Sequence, residues 1–222
     1  MNKEIQDIFK ILSEEISRDK IGSIVFSYLD ISVTLNDKSP IGNILQEWLG
    51  AWLKKHNFIY DTNPNTQEPP DFYIGQDRKH LELKSFDYDA SPNFDVANFE
   101  AYCSLLLSDP TAIDSDYLIL AYRLEQGNLT IQDMWLKKVW EICCPSEKYP
   151  LKTQNKRGMI YNIRPATWFS KNSHYSTFAS KKDFLYAIQN TLNQYSKTRV
   201  SHKNWLERVT SKYREITNRE IF

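Results

Sequence analysis

The chain contains 222 residues, and its 28 lysine and arginine residues balance 28 aspartate and glutamate residues, so the formal net charge is zero. A hydrophobic fraction of 41% and an aromatic fraction of 14% exclude a disordered chain and indicate a packed globule. This length supports one sizeable core but is short for two, so we predict a single domain over residues 1–222, and the zero net charge excludes binding to nucleic acid through bulk charge.

Charged residues interrupt the first twenty positions, MNKEIQDIFKILSEEISRDK, so this segment lacks the uncharged apolar core of a signal peptide. No apolar run in the sequence approaches the length of a membrane span. We therefore expect a cytoplasmic protein. The three cysteines, Cys103, Cys143 and Cys144, and the four scattered histidines lack the spacing of a disulfide framework or a zinc site, which argues against both.

A helix is predicted where Ser39 and Pro40 precede IGNILQEWLGAWLKKHNF, the segment that covers residues 41–58. Ser39 is the predicted N-cap and Pro40 lies in the first turn, because serine caps helices and proline suits their first position. An apolar stripe runs along this helix from Ile41 to Trp52. A loop rich in proline and asparagine, DTNPNTQEPP, follows at residues 61–70.

The next segment, PPDFYIGQDRKHLELKSFD at residues 69–87, has the pattern of a β-hairpin with its turn centred on Gln76 and Asp77. The opposed pairs that this turn predicts are Asp71 with Glu82, Phe72 with Leu81, and Ile74 with Lys79. Opposed residues of an antiparallel pair point to one face, with Cβ atoms roughly 4.5–5.5 Å apart. Strand alternation adds Lys84 to the face of Asp71 and Glu82, while the other face is apolar.

The remaining elements alternate between helices and strands. The predicted helices are NFDVANFEAYCSLLL at 93–107, WLKKVWEICC at 135–144, KKDFLYAIQNTLNQY at 181–195, and SHKNWLERVTSKYREI at 201–216 with Ser201 as its cap. The predicted strands are DYLILAYRL at 116–124 and LTIQDMW at 129–135, joined by a turn at EQGN, and a short strand ended by Pro165. This order predicts an α/β fold with a mixed sheet.

Two carboxylates held side by side repel each other unless a cation lies between them, and carboxylate oxygens suit Mg²⁺. Asp71 and Glu82 therefore have the chemistry of a metal site. A lysine beside such a pair, here Lys84, can orient a water molecule or stabilise charge on phosphate oxygens, as metal-assisted phosphodiester hydrolysis requires. The alternative is a solvated strand face, because short charged patterns also match by chance.

PPD at 69–71 and LELK at 81–84 resemble the signature of the PD-(D/E)XK nuclease superfamily, and the elements from about Ser39 to Cys144 resemble its α-β-β-β-α-β core. The resemblance implies a central mixed β-sheet flanked by helices, with a basic helical C-terminal part at about 145–222 that serves DNA binding and dimerisation. The chain size and the segments DMWLKKVWEICCP and IYNIRPATW further resemble a bacterial type II restriction endonuclease.

Carried over to this sequence, the resemblance implies that Asp71 and Glu82 bind the metal and that Lys84 positions or activates the attacking water. Glu47 matches an additional glutamate that many members carry on the first core helix, with a solvated helix face as the alternative. His80 lies on the face of Glu82, either as a substrate contact or as a rim residue. We interpret Asp87 and Asp89 as loop residues.

An enzyme of zero net charge must concentrate its basic residues where the DNA phosphates lie. Residues 171–222 contain ten lysine and arginine residues but four aspartate and glutamate residues. The segment KTQNKRG at 152–158 and the residues just beyond it also carry donors for phosphates and base edges. These predicted DNA-binding residues are Lys152, Asn155, Lys156, Arg157, Asn162 and Arg164. A lysine-rich surface loop is the alternative, and Trp135, Trp140 and Trp168 are expected in the core.

The leading hypothesis is a Mg²⁺-dependent, sequence-specific endonuclease that acts on double-stranded DNA as a homodimer at a short palindromic site, since two-fold protein symmetry matches two-fold DNA symmetry. The restriction interpretation also implies a cognate DNA methyltransferase in the host, without direct contact. Three alternatives stay open: a structure-specific repair or junction nuclease with the same core, a DNA-binding module without catalysis, and a protein-interaction role.

Overall fold

A computed structural model describes residues 4–65 and 68–222 of the chain. The helices are α1 (Ile5–Glu15), α2 (Ile41–Lys55), α3 (Phe99–Ser108), α4 (Lys181–Gln194) and α5 (Trp205–Thr217). The strands are β1 (Gly22–Ser23), β2 (Val25–Tyr28), β3 (Ile31–Thr34), β4 (Tyr60–Thr62), β5 (Phe72–Ile74), β6 (Lys79–Asp87), β7 (Ala97–Asn98), β8 (Asp116–Glu125), β9 (Asn128–Lys138), β10 (Thr153–Lys156) and β11 (Met159–Ile163). Within the described ranges, none of these helices is long and apolar enough to cross a membrane.

The chain forms two compact units, each assembled from separate segments. The first contains residues 4–64, 71–92 and 116–136, and the second contains residues 65, 68–70, 93–115 and 137–222. The prediction of one nuclease domain over the whole chain remains a prediction.

The first unit is built around a six-stranded sheet in the order β1-β9-β8-β6-β5-β4. Strands β4, β5 and β6 pair antiparallel, whereas β6 and β8 pair parallel over seven residues on each strand. The predicted mixed sheet is therefore confirmed. Because β6 lies between β5 and β8, both of its edges are hydrogen-bonded, and its side chains have fixed directions.

Helices α1 and α2 supply much of the apolar core of the first unit. Their buried side chains include Ile8, Leu12, Leu49 and Leu53, which belong to the same cluster as Leu81 of β6. Small residues bring α2 close to the strands: a Cβ added at Gly50 would lie 3.6 Å from the Phe72 ring. This packing holds the β5–β6 hairpin against α2.

The second unit contains a three-stranded sheet, β10-β11-β7, and the helices α3, α4 and α5. Trp205, at the start of α5, is fully buried, and its Nε1 donates a hydrogen bond of 2.9 Å to the carbonyl of Cys103 on α3. Cys103, Cys143 and Cys144 are free and buried in the described chain. Burial raises the pKa of the Cys103 thiol well above its ordinary value, so this cysteine serves as a core residue.

Several predicted boundaries were wrong at the helix caps. Helix α2 starts at Ile41 with Pro40 as the N-cap, while the backbone N–H of Ser39 donates to Asp37 Oδ1 in the preceding turn. Helix α5 likewise starts at Trp205 with Asn204 as its N-cap, not Ser201. Before α2 a local turn uses Ser39, whereas the turn before α5 is closed by the backbone N–H of Trp205, which donates 3.1 Å to the carbonyl of His202.

Other elements of the structure differ in type or length from those that were predicted. The helix expected at 135–144 is instead the end of β9 followed by a single 3₁₀ turn at Val139–Glu141, because the sheet extends as far as Lys138. The helix expected from residue 93 begins at Phe99, since Ala97 and Asn98 pair with β11. The predicted loop at 61–70 begins inside β4, and residues 66 and 67 of it lie outside the described residues.

Candidate active site

The β5–β6 hairpin has the register that the sequence predicts. The pairs are Phe72 with Leu81, Tyr73 with His80, and Ile74 with Lys79. A four-residue turn from Gly75 to Arg78 closes the hairpin, and both of these residues have positive φ, 72° and 51°. Glycine favours this conformation because it has no Cβ. The symmetric turn leaves Asp71, just before β5, opposite Glu82.

The carboxylates of Asp71 and Glu82 each accept a main-chain hydrogen bond from the opposite arm of the hairpin. The backbone N–H of Asp71 donates to Glu82 Oε2 at 3.1 Å, and the backbone N–H of Leu83 donates to Asp71 Oδ2 at 2.8 Å. Glu82 is only 5% exposed, which is rare for a glutamate. Each carboxylate is therefore oriented by a main-chain donor from the opposite strand.

The pKa of Asp71 is raised to about 7, chiefly by burial and then by the negative charge of Glu82. The N–H of Leu83 and the charge of Lys84 act against this rise. Above pH 7 the pair therefore holds two negative charges in a largely buried place. Such a pair favours a cation, whereas below pH 7 a proton on Asp71 competes with it.

Lys84 lies on the same strand face as Glu82, as the alternation of β6 predicts. Its Nζ is 2.8 Å from Glu82 Oε1, and the two side chains are 20% and 6% exposed. Removing Lys84 would leave a buried carboxylate without its cationic partner, which is costly. The arrangement places a proton donor beside the two carboxylates.

The donor set suits a hard divalent cation. Two carboxylates supply oxygen ligands, and Mg²⁺ is commonly bound by one or two carboxylates while it keeps several waters. Within the described part of the chain, no group of three or more histidine, cysteine, aspartate or glutamate residues lies at metal-binding distances. The remaining ligands of such a cation would therefore be waters or oxygens of the substrate.

Glu47 is exposed on α2, and no hydrogen bond or ion pair among the described residues joins it to Asp71 or Glu82. Its role as an additional ligand remains a prediction. Asp87, which was predicted as a loop residue, is instead the last residue of β6 and pairs with Lys38, whereas Asp89 lies in the following turn and pairs with Arg123 at 2.6 Å.

His80 is partly buried, and its ring lies edge-on against Tyr73, with 5.2 Å between the ring centroids. The His80 imidazole therefore packs on the side chain of the residue that pairs with it across β5 and β6. The choice between a substrate contact and a rim residue stays open for His80.

The segment predicted as a flexible DNA-binding loop at 152–158 instead contains the first strand and the turn of a β-hairpin. Strands β10 and β11 are joined by a turn at Arg157 and Gly158, both with positive φ. Lys156 and Arg157 are exposed at this turn, and Lys156 Nζ lies 5.7 Å from the centre of the Tyr161 ring. The hairpin therefore presents two cations and an aromatic ring at one end.

The other predicted DNA-binding side chains already have partners within the second unit. Arg164 forms an ion pair with Asp95 and donates 2.7 Å to the carbonyl of Asn93, while Asn162 Nδ2 donates 2.7 Å to Asp95 Oδ2. To contact DNA, Arg164 and Asn162 would have to donate hydrogen bonds to it in addition to these bonds or in place of them.

Lys152 and Asn155 are also engaged. Lys152 Nζ donates 2.8 Å to the carbonyl of Pro165, and Asn155 Nδ2 donates 3.0 Å to the carbonyl of Thr153. Sequence reasoning missed Tyr161, which is 43% exposed on β11. The glycine turn between two short strand-like segments was the signal that could have identified this hairpin.

The tryptophans predicted to lie in the core are only partly buried. Trp135 stacks on Phe86 with 6.0 Å between ring centroids, and Trp168 packs on Phe169 and Phe94. Trp140 lies near Lys181, whose Nζ is 5.8 Å from its ring. All three form aromatic or cation contacts at the margin of the core.

The family comparisons cover nearly the whole chain. A model of the NgoBV restriction endonuclease family matches residues 2–222. The type II restriction enzyme NlaIV of Neisseria lactamica is 39% identical, over 97% of this chain and 91% of that protein. The type II restriction enzyme NgoBV of Neisseria gonorrhoeae is 37% identical, over 68% of this chain and 89% of that protein.

A solved structure of NlaIV restriction endonuclease matches with a TM-score of 0.92 at 37% identity, covering 100% of this chain and 93% of that chain. The predicted fold class and the resemblance to restriction enzymes are therefore confirmed, and this class of enzyme implies DNA as substrate and a divalent metal cofactor. These relationships favour the restriction hypothesis over the repair nuclease and the non-catalytic module. The chain belongs to the NgoBV restriction endonuclease family and is a type II site-specific deoxyribonuclease.

Proposed function

We propose that the enzyme uses Mg²⁺ held by Asp71 and Glu82 to hydrolyse phosphodiester bonds in double-stranded DNA. The observation that carries this proposal is the buried carboxylate pair, fixed by the N–H groups of Asp71 and Leu83, with Lys84 Nζ 2.8 Å from Glu82. Because the pKa of Asp71 is raised to about 7, a bound cation would favour the ionised form of Asp71 beside Glu82.

Each side chain has one role in this mechanism. The bound cation would act as a Lewis acid toward the phosphate. The carboxylates of Asp71 and Glu82 would hold this cation. Lys84 donates one N–H to Glu82 and directs its remaining donors to the attacking water and the phosphate oxygens. The water oxygen bonds to phosphorus, the bond to one sugar oxygen breaks, and that oxygen leaves with a proton.

Glu47 is proposed as an auxiliary residue that contacts the metal through water, because it extends from the helix that packs on the hairpin. The helix-to-strand contact is close: a Cβ added at Gly42 would be 3.7 Å from Ser85 Oγ. Glu47→Gln should therefore reduce the cleavage rate less than loss of Asp71 or Glu82.

DNA binding is assigned to the basic part at about 145–222. Lys156 and Arg157, exposed at the β10–β11 turn, are the first contacts that we propose. A second set of residues supports the hairpin and contacts DNA after giving up its present hydrogen-bond partners: Lys152, Asn155, Asn162 and Arg164. The enzyme acts as a homodimer on a short palindromic site in the bacterial cytoplasm, where a cognate methyltransferase protects host DNA.

The test compares cleavage and DNA binding by Asp71→Asn, Glu82→Gln and Lys84→Met with those of Asp77→Asn. Asp77 is exposed in the turn of the same hairpin, so this control makes the same chemical change outside the carboxylate pair. We expect the first three variants to lose Mg²⁺-dependent cleavage while they bind DNA, and the control to cleave normally. Full cleavage by any of the three would refute the site.

A further inference from the structure

Asp95 lies beside two of the predicted DNA-binding residues of the second unit. Asn162 Nδ2 donates 2.7 Å to Asp95 Oδ2, and the Arg164 guanidinium forms an ion pair with Asp95 Oδ1. Asn162 and Arg164 are two positions apart, in β11 and just beyond its end, so strand alternation directs both side chains to one face of the sheet. One carboxylate therefore occupies donors of both side chains.

The main chain fixes the position of Asp95. The backbone N–H of the next residue, Val96, donates 3.0 Å to the carbonyl of Ile163, and β7, which starts directly after Val96, pairs with β11. Arg164 also donates 2.7 Å to the carbonyl of Asn93, two residues before Asp95. The Asp95 carboxylate consequently stays near the end of β11 when its hydrogen-bond partners change.

A third polar side chain belongs to the same cluster. Asn162 Nδ2 also donates 3.3 Å to Gln154 Oε1 on β10. A side-chain amide nitrogen has two N–H donors, and Asp95 and Gln154 accept both of them. Asn162 can therefore donate to DNA only when it releases one of these two acceptors.

The exposure of the cluster permits such an exchange. The side chain of Asp95 is 48% exposed and that of Arg164 is 23% exposed, so both are accessible to water and to a ligand. A carboxylate at such an open position can be hydrated or can accept from a ligand when its partners leave, whereas a buried carboxylate would stay uncompensated. Arg164 and Asn162 can therefore exchange Asp95 for acceptors on DNA.

A carboxylate that remains beside DNA accepts only certain neighbours. When ionised it has acceptor oxygens and no donor, so phosphate oxygens and the acceptors of base edges repel it. The donors that base pairs present in the major groove are the exocyclic amino groups of adenine and cytosine. Asp95 is satisfied where such an amino group lies next to the acceptors that Arg164 and Asn162 bind, and it is unpaired on other sequences.

We propose that Asp95 is a specificity-determining residue that accepts a hydrogen bond from an exocyclic amino group of adenine or cytosine in the recognition site. The inference rests on the proposed function, in which Arg164 and Asn162 give up their present partners to contact DNA. Asp95 then discriminates against every sequence that leaves its charge unpaired, in addition to the attraction that Arg164 and Asn162 supply at the correct one.

The test sequences the DNA ends that the wild-type enzyme and Asp95→Asn produce from random-sequence DNA in Mg²⁺. Asparagine donates as well as accepts, so the variant should admit other bases at the position that Asp95 contacts. Cleavage at sites substituted there, relative to the wild-type site, should rise about 10-fold, since one good base contact supplies roughly this discrimination. Glu147→Gln is the matched control, because it removes one charge from an exposed side chain of the second unit and should keep the wild-type base preference.

A second measurement deletes the proposed partner of the carboxylate. Duplexes of the mapped site carry purine in place of adenine, or 2-pyrimidinone in place of cytosine, at one position at a time, which removes the exocyclic amino group. One such deletion should lower wild-type cleavage about 10-fold and have no effect on cleavage by Asp95→Ala. The deleted base that has this effect identifies adenine or cytosine. Circular dichroism checks folding, and the wild-type measurement stands without either variant.

Unchanged base preference in Asp95→Asn, including an equal loss of cleavage at all sites, would overturn the role of Asp95, as would wild-type cleavage that tolerates every amino deletion. Arg164→Gln separates this result from the proposed function. A changed base preference in Arg164→Gln without one in Asp95→Asn would refute the role of Asp95 alone. Unchanged preference in both variants would also refute the DNA contact proposed for Arg164.

Discussion

Replacing Asp71 by asparagine should stabilise the metal-free protein at alkaline pH while it removes activity. The pKa of Asp71 rises from 3.8 to about 7 in the folded chain, chiefly through burial and then through the charge of Glu82. A raised acid pKa gives stability that is complete below pH 4 and is lost as the pH rises through 7. At pH 8 the wild-type chain therefore bears the cost of two adjacent carboxylates, which asparagine removes.

The size of the effect follows from the two pKa values. Their separation of roughly three pH units corresponds to about 4 kcal/mol as an upper limit. Asp71 is partly exposed, and water and local relaxation reduce this limit, so we expect a gain of about 1–2 kcal/mol in the free energy of unfolding at pH 8. For a chain of this length the melting temperature should rise by roughly 2–8 °C.

Urea unfolding in EDTA at several pH values between 4 and 8 measures the gain. The advantage of Asp71→Asn should shrink as the pH falls and vanish near pH 4, where the wild-type Asp71 is protonated in both states. Asp77→Asn, at an exposed turn position, should show no such trend. A variant no more stable than wild type at pH 8 would refute the argument that the carboxylate pair is under electrostatic repulsion.

Three further changes test other parts of the structure. Lys84→Met should lower the cleavage rate by about 10²–10⁴-fold with DNA binding retained, because the donor beside Glu82 is lost. Lys156→Ala combined with Arg157→Ala should weaken DNA binding and reduce the salt dependence of log K by roughly two, as measured by fluorescence anisotropy at several salt concentrations. Trp205→Phe should lower the free energy of unfolding by about 1–3 kcal/mol, since it removes a buried hydrogen bond to Cys103.

Each of these three predictions has a control variant or an outcome that would contradict it. Lys79→Met alters an exposed lysine on the same strand and should cleave normally. Unchanged salt dependence in the double alanine variant would remove the β10–β11 turn from the DNA contacts. An unchanged urea midpoint for Trp205→Phe would show that the contact between α5 and α3 contributes little to stability.

The β5–β6 hairpin of the active site could be predicted because strand alternation and the position of the turn indicated the same register. Alternation fixed which residues face each other, and a symmetric turn around Gln76 and Asp77 fixed the register, so the positions of Asp71 and Glu82 followed. The main-chain hydrogen bonds to the two carboxylates and the burial of Glu82 could not be predicted, since they depend on contacts formed in the folded chain.

Other features depended on tertiary pairing. The segment at 135–144 has helical periodicity, yet sheet pairing extends β9 to Lys138, because hydrogen bonding to a neighbouring strand outweighs a short amphipathic pattern. The exposure of Phe26 and Ile31 could not be predicted either. Alternation of apolar and polar residues indicates a strand, but it does not show whether another element packs on the apolar face. The ion pair of Arg164 with Asp95 could not be predicted either, because the two residues are far apart in the sequence, and the DNA contact of Arg164 remains a prediction.

The most direct measurement of the central claim is the incubation of the purified enzyme with plasmid DNA, in Mg²⁺ and in EDTA, alongside Glu82→Gln. The account predicts discrete fragments from the wild-type enzyme with Mg²⁺ only, and intact plasmid with the variant under both conditions. Discrete fragments in EDTA, or from Glu82→Gln in Mg²⁺, would contradict the assignment of a metal-dependent site to the Asp71–Glu82 pair.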